Sequence, residues 1–171
     1  SIICFNEKQW VGNGFTIPSG PLRSSLSDLK KAECVVINGK RNEDIENKIF
    51  SKNKKIKIFY ANYQPQNISE FQNKNAIAFA GIGNPENFFD LLTDNKLNII
   101  EAIKFPDHHR YSEKELENLL NKAKDNNSIL LTTEKDYFRI PKNHKKNIKY
   151  IKIKIEIENK NKFIEEIKKI I

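Results

Sequence analysis

The chain has 171 residues, long enough to bury about 70% of its unfolded surface, and 38% hydrophobic residues against 30% charged ones exclude disorder throughout. Lys+Arg 30 against Asp+Glu 22 gives a net charge of +8, but Lys is spread over the whole length, interleaved with Glu and enriched together with Asn and Ile. The surplus therefore reads as a solvated, compositionally biased surface, and no nucleic-acid partner is expected. No apolar run approaches the roughly 20 residues of a membrane-spanning helix. Cys4 and Cys34 are too few and wrongly spaced for a disulfide framework or a zinc knuckle, which predicts buried, inert thiols in a reducing compartment. With no Met anywhere and no basic stretch leading into an apolar run, the sequence also predicts a piece of a longer chain without a signal peptide.

Along the chain, residues 1 to 30 hold the densest Gly/Pro stretch, Gly12-Asn13-Gly14 through Gly20-Pro21, which predicts a long shaped loop. Ser25 to Lys31 reads as a short capped helix, Cys34 to Ile37 as a strand, and residues 41 to 53 as a surface helix or connector. Residues 56 to 60 alternate as a strand with one wet face does. Ala76-Ile77-Ala78-Phe79-Ala80, uncharged and closed by Gly81, is the candidate central parallel strand.

A glycine turn then leads through Pro85 into a helix, with Pro in its first turn and Glu86 behind it. The unit repeats: a strand near 97 to 103, a loop from Phe105 to Tyr111, and a helix from Ser112 to Lys124. Ser112 and Glu115 form a capping box there, and Leu116, Leu119, Leu120 and Ala123 mark the buried stripe. Ser128 to Thr132 is a further apolar strand. Residues 149 to 157 alternate Lys or Glu with Ile and read as one strand. Asn159 to Ile171 reads as an amphipathic helix with Phe163, Ile164, Ile167, Ile170 and Ile171 inward. Strands alternating with helices predict an α/β protein with a mainly parallel sheet.

No stretch reads G-x-x-x-x-G-K-[ST], and Glu86 stands where the third glycine of a dinucleotide turn belongs, so Gly81 and Gly83 read as a strand-to-helix turn. Phe105-Pro106-Asp107-His108-His109 is the sharpest polar cluster, at a strand end where open α/β sheets place their sites. Asp beside His suits acid/base work or anion binding, and the same residues read equally well as an exposed loop with two ordinary histidines. Asp-His-His also occurs in metal-dependent phosphoesterases, which need further carboxylates that no upstream Asp-x-Asp supplies. Thr132-Thr133-Glu134-Lys135-Asp136 reads as a polar network lining a cleft or, more simply, as a helix cap. Pro18 to Arg23 is a loop presenting one Arg suited to phosphate, and His144 reads as a solvent-exposed residue.

Taken in order, Gly12-Asn13-Gly14, Pro18-Ser19-Gly20-Pro21-Leu22-Arg23, Ala78-Phe79-Ala80-Gly81-Ile82-Gly83-Asn84-Pro85 with Phe88-Phe89, Phe105-Pro106-Asp107-His108-His109 with Tyr111, and Thr132-Thr133-Glu134-Lys135-Asp136 resemble the C-terminal half of the tetraacyldisaccharide 4'-kinases. Ser24 after Arg23 departs from the usual Glu there, and Ser19 stands for a common Ala. The resemblance implies a P-loop-kinase-related fold, an α/β/α sandwich with a two-stranded linker near 56–60 and 149–157. It implies a remnant of the nucleotide-binding half over 1–53 and a second subdomain over 54–171, with the active site in the cleft between the two.

It further implies transfer of the ATP γ-phosphate, with Mg²⁺, to the 4'-hydroxyl of an acylated disaccharide phosphate in lipid A biosynthesis. That would take place at the cytoplasmic face of the inner membrane of a Gram-negative cell. The phosphate loop and the Mg²⁺-binding motif lie upstream in the family, so this chain alone is expected to be inactive and to need that missing N-terminal half. His108 and Asp107 are the implied catalytic pair, Asp107 orienting His108. Arg23, Asn13 and Gly20 are implied substrate or phosphate contacts, Glu134, Lys135 and Asp136 a cleft network, and no residue a metal ligand. A phosphoesterase on Asp107-His108-His109 and a basic nucleic-acid-binding module are the alternatives.

Overall fold

A computed structural model describes residues 1–170 and contains two four-stranded sheets. The chain divides into two compact units, residues 1–64 with the segment from 155 onward, and residues 65–154.

The first unit is built on β1 (Ile2–Asn6), β2 (Cys34–Asn38) and β3 (Lys57–Pro65), parallel and in register through Ile3, Val35 and Ile58, with β8 (Ile153–Ile157) next to β3. α1 (Glu43–Lys52) starts where the Asn42 side chain accepts from the Ile45 amide at 3.2 Å. Ile45 and Ile49, one turn apart, then fall on a single face and pack with Leu29, Val35, Ile37 and Ile56. The Gly/Pro stretch forms turns as expected. The strand at 2–6, inside the region read as loop, is a correction: five residues ahead of the glycines are too few to show a period, and pairing with β2 decides the matter.

The second unit is a three-layer α/β/α sandwich with strand order β5-β4-β6-β7 and every pair parallel. Its elements are β4 (Asn75–Ala80), α2 (Pro85–Asp94), β5 (Asn98–Lys104), α3 (Glu113–Asp125), β6 (Ile129–Thr133), the short α4 (Glu134–Arg139) and β7 (Ile148–Ile151). Alternation along central β4 splits the core. Ala76, Ala78 and Ala80 meet Phe88 and Leu92 of α2 on one face, and Ile77 and Phe79 meet Leu116, Leu119 and Ala123 of α3 on the other. Each buried Leu in that stripe contributes about 1.5–3 kcal/mol.

Four expectations need correction. Residues 149–157 are two strands in two sheets. The backbone of Lys152 turns aside to bond Gln66 and Asn67, at 2.8 and 2.9 Å, which ends pairing with β6. The unit boundaries fall at 64/65 and 154/155 and not at 53/54, because β3 pairs along β2 and α5 (Lys160–Ile170) packs Phe163 on Phe59 at a centroid distance of 5.1 Å. The chain thus passes from one unit to the other within β3 and within β8, which are neighbours in one sheet. No described residue of α5 is fully buried, and Ile164 and Ile170 are exposed; Ile171 lies outside the described residues. Of the two thiols Cys34 is buried, which pushes its pKa up, whereas Cys4 is exposed on edge strand β1.

Candidate functional site

Because β4, β5 and β6 are parallel neighbours, the loops after them emerge at one edge, and all three converge on Gly81. The Gly81 amide donates to Asp136 Oδ2 at 3.0 Å, and its carbonyl accepts from the His108 amide at 3.1 Å and from Arg139 Nη1 at 3.0 Å. A Cβ at this position would lie 2.9 Å from the Tyr111 hydroxyl and 3.1 Å from Pro106 O, so the convergence needs glycine. Gly83 has a related role, since a Cβ there would stand 3.3 Å from Asp107 Oδ2.

Asp136 is completely buried at the start of α4. Its Oδ2 also accepts from Thr133 Oγ1 at 2.7 Å, while Oδ1 pairs with Arg139 at 3.2 Å. A buried carboxylate is tolerated only with such partners. Tyr111 is buried beside it, and its hydroxyl makes no hydrogen bond among the described residues. Burial first, and then the Asp136 charge, push the Tyr111 phenol far above its ordinary range. Phe79, Phe105, Tyr111 and His109 pack ring against ring beneath the loop, with Phe105 stacked on His109 at 4.8 Å.

His108 stands out from this base. Its side chain is 80% exposed, its φ is +58°, and its ring Nδ1 lies 3.2 Å from Arg139 Nη2. The left-handed backbone is held by the bonds of its amide to Gly81 O and to Asp107 Oδ1 at 2.9 Å. Asp107 therefore braces the loop backbone. Its nearest approach to the imidazole is 3.9 Å, at Nε2, so the ring's hydrogen-bond partner is Arg139. His109 points elsewhere, to Glu115 Oε1 at 3.1 Å. The Ser112 amide and hydroxyl, with His109 adding to them, hold the Glu115 carboxyl below its usual range.

Of the residues singled out in the sequence, the structure brings together Asp107, His108 and Asp136. Glu134 and Lys135 make none of these hydrogen bonds. His144 is half-buried, with its Nε2 enclosed and unbonded among the described residues, where the sequence reading put it in solvent. Among the described residues no group of three or more His, Cys, Asp or Glu side chains could hold a metal ion.

Asn13, Gly20 and Arg23 belong to the first unit. Asn13 bridges its own loop, Nδ2 donating to Ser19 O at 2.8 Å and Oδ1 accepting from the Phe15 amide at 3.2 Å. A Cβ on Gly20 would sit 2.2 Å from Asn13 Oδ1, so this pair sets the shape of the loop. Arg23 is exposed at its end and lines a groove of about 490 Å³ with Phe5, Trp10 and Leu26. Arg139 was missed in the sequence. Its signal was a cation three residues after Asp136 on one helical turn, the spacing at which opposite charges meet.

The Tetraacyldisaccharide-1-P 4'-kinase (LpxK) family model matches residues 1–171. The chain belongs to this family. It is 41% identical over 163 residues to the tetraacyldisaccharide 4'-kinase of Pelagibacter ubique, covering 92% of this chain and 51% of that one. To the enzyme of Rickettsia bellii it is 38% identical, covering 98% and 51%. A crystal structure of LpxK from Aquifex aeolicus in complex with ATP matches with a TM-score of 0.63 and 22% identity, over 99% of this chain and 51% of that one, and shows the shared fold. The chain thus spans about half the length of the curated relatives it matches. No helix among the described residues of this LpxK-family chain is long and apolar enough to cross a membrane.

Proposed function

We propose that this chain supplies one half of a kinase that moves a phosphoryl group from ATP to the 4'-hydroxyl of an acylated disaccharide phosphate in lipid A biosynthesis, and that it is inactive without an upstream half. The observation that carries this reading is the family match over the whole chain together with coverage of only half of each relative. Among the described strands β1 has β2 as its one neighbour and leaves Ile2 and Cys4 exposed, which suits the addition of upstream strands.

The residues present do not fit ATP or Mg²⁺ by themselves. There is no phosphate loop, and the carboxylates of Asp136 and Glu115 are already engaged within the protein. Both groups are therefore assigned to the upstream half. What this chain contributes is a positioned imidazole at His108, a braced loop at Asp107 and a cation at Arg23, in a reaction that depends on positioning and charge neutralisation. Asn13 and Gly20 contribute by shaping the loop that ends in Arg23, and Asp136 by anchoring the strand ends. Peripheral attachment to the cytoplasmic face of the inner membrane is supported by a patch in the second unit. There Phe138, 67% exposed, has Lys145 at 5.5 Å from its ring, beside a hollow lined by Lys146, Lys149 and Lys152.

The test is 4'-kinase activity with ATP, Mg²⁺ and the acylated disaccharide phosphate, for the chain alone and after addition of the upstream half from the same source. The expected result is silence alone and turnover on mixing, higher with substrate in anionic vesicles than in uncharged ones. Silence in both, with the two halves shown to associate, would end the kinase reading; equal rates in both vesicle types would end the membrane reading.

A further inference from the structure

Arg139 joins the buried carboxylate of the site to its exposed imidazole. Nη1 donates to Gly81 O and to Asp136 Oδ1, and Nη2 lies 3.2 Å from His108 Nδ1. A guanidinium carries only N–H donors and stays protonated, so Nδ1 must accept. A neutral imidazole has one ring proton, and with Nδ1 accepting that proton sits on Nε2. The arginine is not free to swing away. Asp136 has Oδ2 filled by the Gly81 amide and Thr133 Oγ1, which leaves Oδ1 to the guanidinium, and the Arg139 side chain is only 26% exposed.

We propose that Arg139 is a positioning residue: anchored by Asp136 and the Gly81 carbonyl, it holds the His108 ring and keeps its proton on Nε2. His108 then meets its surroundings with an N–H donor and not with a lone pair. It can hydrogen-bond a carboxylate or a phosphoryl oxygen, but it cannot take the proton of a hydroxyl while Arg139 occupies Nδ1. The left-handed backbone at His108 fits the same account, since the His108 amide and the guanidinium that holds its ring both donate to the Gly81 carbonyl.

The first test needs no turnover. In isotopically labelled protein, long-range nitrogen–proton correlation spectra recorded where the rings are neutral report the tautomer, with the His108 signals identified by their loss in His108→Gln. The expected spectrum has an unprotonated Nδ1 and a protonated Nε2, and Arg139→Ala brings the two nitrogens toward each other as tautomers mix. Arg139→Ala leaves Asp136 without its ion-pair partner and can unfold the unit. Arg139→Lys keeps the charge beside Asp136, but one ammonium cannot reach all three acceptors, so it is expected to melt near the original temperature and still lose the single tautomer. A protonated Nδ1 in the unaltered protein, or an unchanged His108 spectrum in folded Arg139→Lys, overturns the proposal.

The second arm rests on the kinase reading. After addition of the upstream half, Arg139→Lys is expected to lower kcat about 10–100-fold with the KM for ATP unchanged; an unchanged kcat overturns the proposal. Silence of the unaltered mixture would count against the kinase reading alone, and the tautomer would still decide the role of Arg139.

Discussion

The two units bury their sheets differently. In the second, β4 is covered on both faces, and Ile77, Ala78 and Phe79 are fully inaccessible between α2 and α3. In the first, a well-formed core lies on the α1 face, while exposed apolar residues sit elsewhere: Ile2 on edge strand β1, Phe15 and Ile17 in the loop, Ile155 on β8 and Ile164 on α5. Strand-building residues alone do not explain the contrast, because both units are rich in Ile. What differs is cover: β4 lies between two strands and two helices, whereas α5 buries none of its described residues completely. A unit that closes its own core can hold strained, polar groups such as His108 and Asp136 at its strand ends. A unit with apolar surface to spare is suited to receive more chain.

Large-to-small substitutions probe this contrast most strongly. Phe79→Ala removes a completely buried ring that touches Phe105 and Tyr111, and is expected to cost about 3–5 kcal/mol in denaturant unfolding. Ile155→Ala, at a side chain 54% exposed, is expected to stay within about 0.5 kcal/mol. Comparable losses at the two positions would mean that β8 is covered in solution, and the contrast between the units would fall.

The glycines sharpen the same comparison at the level of the site. Gly81→Ala forces a methyl to within 2.9 Å of the Tyr111 hydroxyl and 3.1 Å of Pro106 O, which is expected to cost about 1–3 kcal/mol and to loosen the His108 loop. Gly14→Ala, at φ +80° with nothing within 4 Å, meets only backbone strain of about 1 kcal/mol. Thermal unfolding of both variants, with proteolysis of the 105–111 loop, separates the two effects. Unchanged loop cleavage in Gly81→Ala would show that Gly81 does not set the loop.

Most of the second unit was legible in the sequence, because its signals are local. Ala76 to Ala80 has no charge to place in water, Asn84-Pro85 and Ser112 to Glu115 announce helix starts, and the stripe of α3 has the period of its helix. The Asp107-His108-His109 cluster was legible as a polar loop at a strand end because the strand before it and the helix cap after it were. What the sequence concealed depends on partners far along the chain. β1 is a strand only because β2 pairs with it. The alternation of Ile with Lys or Glu runs straight through Lys152, where bonds to Gln66 and Asn67 divide the segment between two sheets. The partner of the His108 ring was also hidden: Asp107 is adjacent in sequence, but positive φ at His108 turns the ring toward Arg139, which is 31 residues away.

The capping box at the start of α3 tests the support under that loop with the smallest expected effect. Ser112 Oγ accepts from the Glu115 amide at 3.3 Å and donates to Glu115 Oε2 at 2.7 Å, so Ser112→Ala is expected to cost about 1 kcal/mol. The bonds that hold the Glu115 carboxyl below its ordinary 4.5 also fix the sign of a pH effect. A lowered folded-state pKa means that the contribution is complete above about pH 4.5 and is lost as the pH falls below it. Glu115→Gln should therefore flatten the acid limb of the stability profile by lowering stability slightly above about pH 4.5, and leave the acid end, where Glu115 is itself uncharged, little changed. Because the carboxylate is partly exposed and screened by solvent, the change is expected to be small, read as a slight shift of the midpoint in acid unfolding. A steeper acid limb in the Gln variant would mean that Glu115 is not held by Ser112, and that the His109 side of the loop rests on something else.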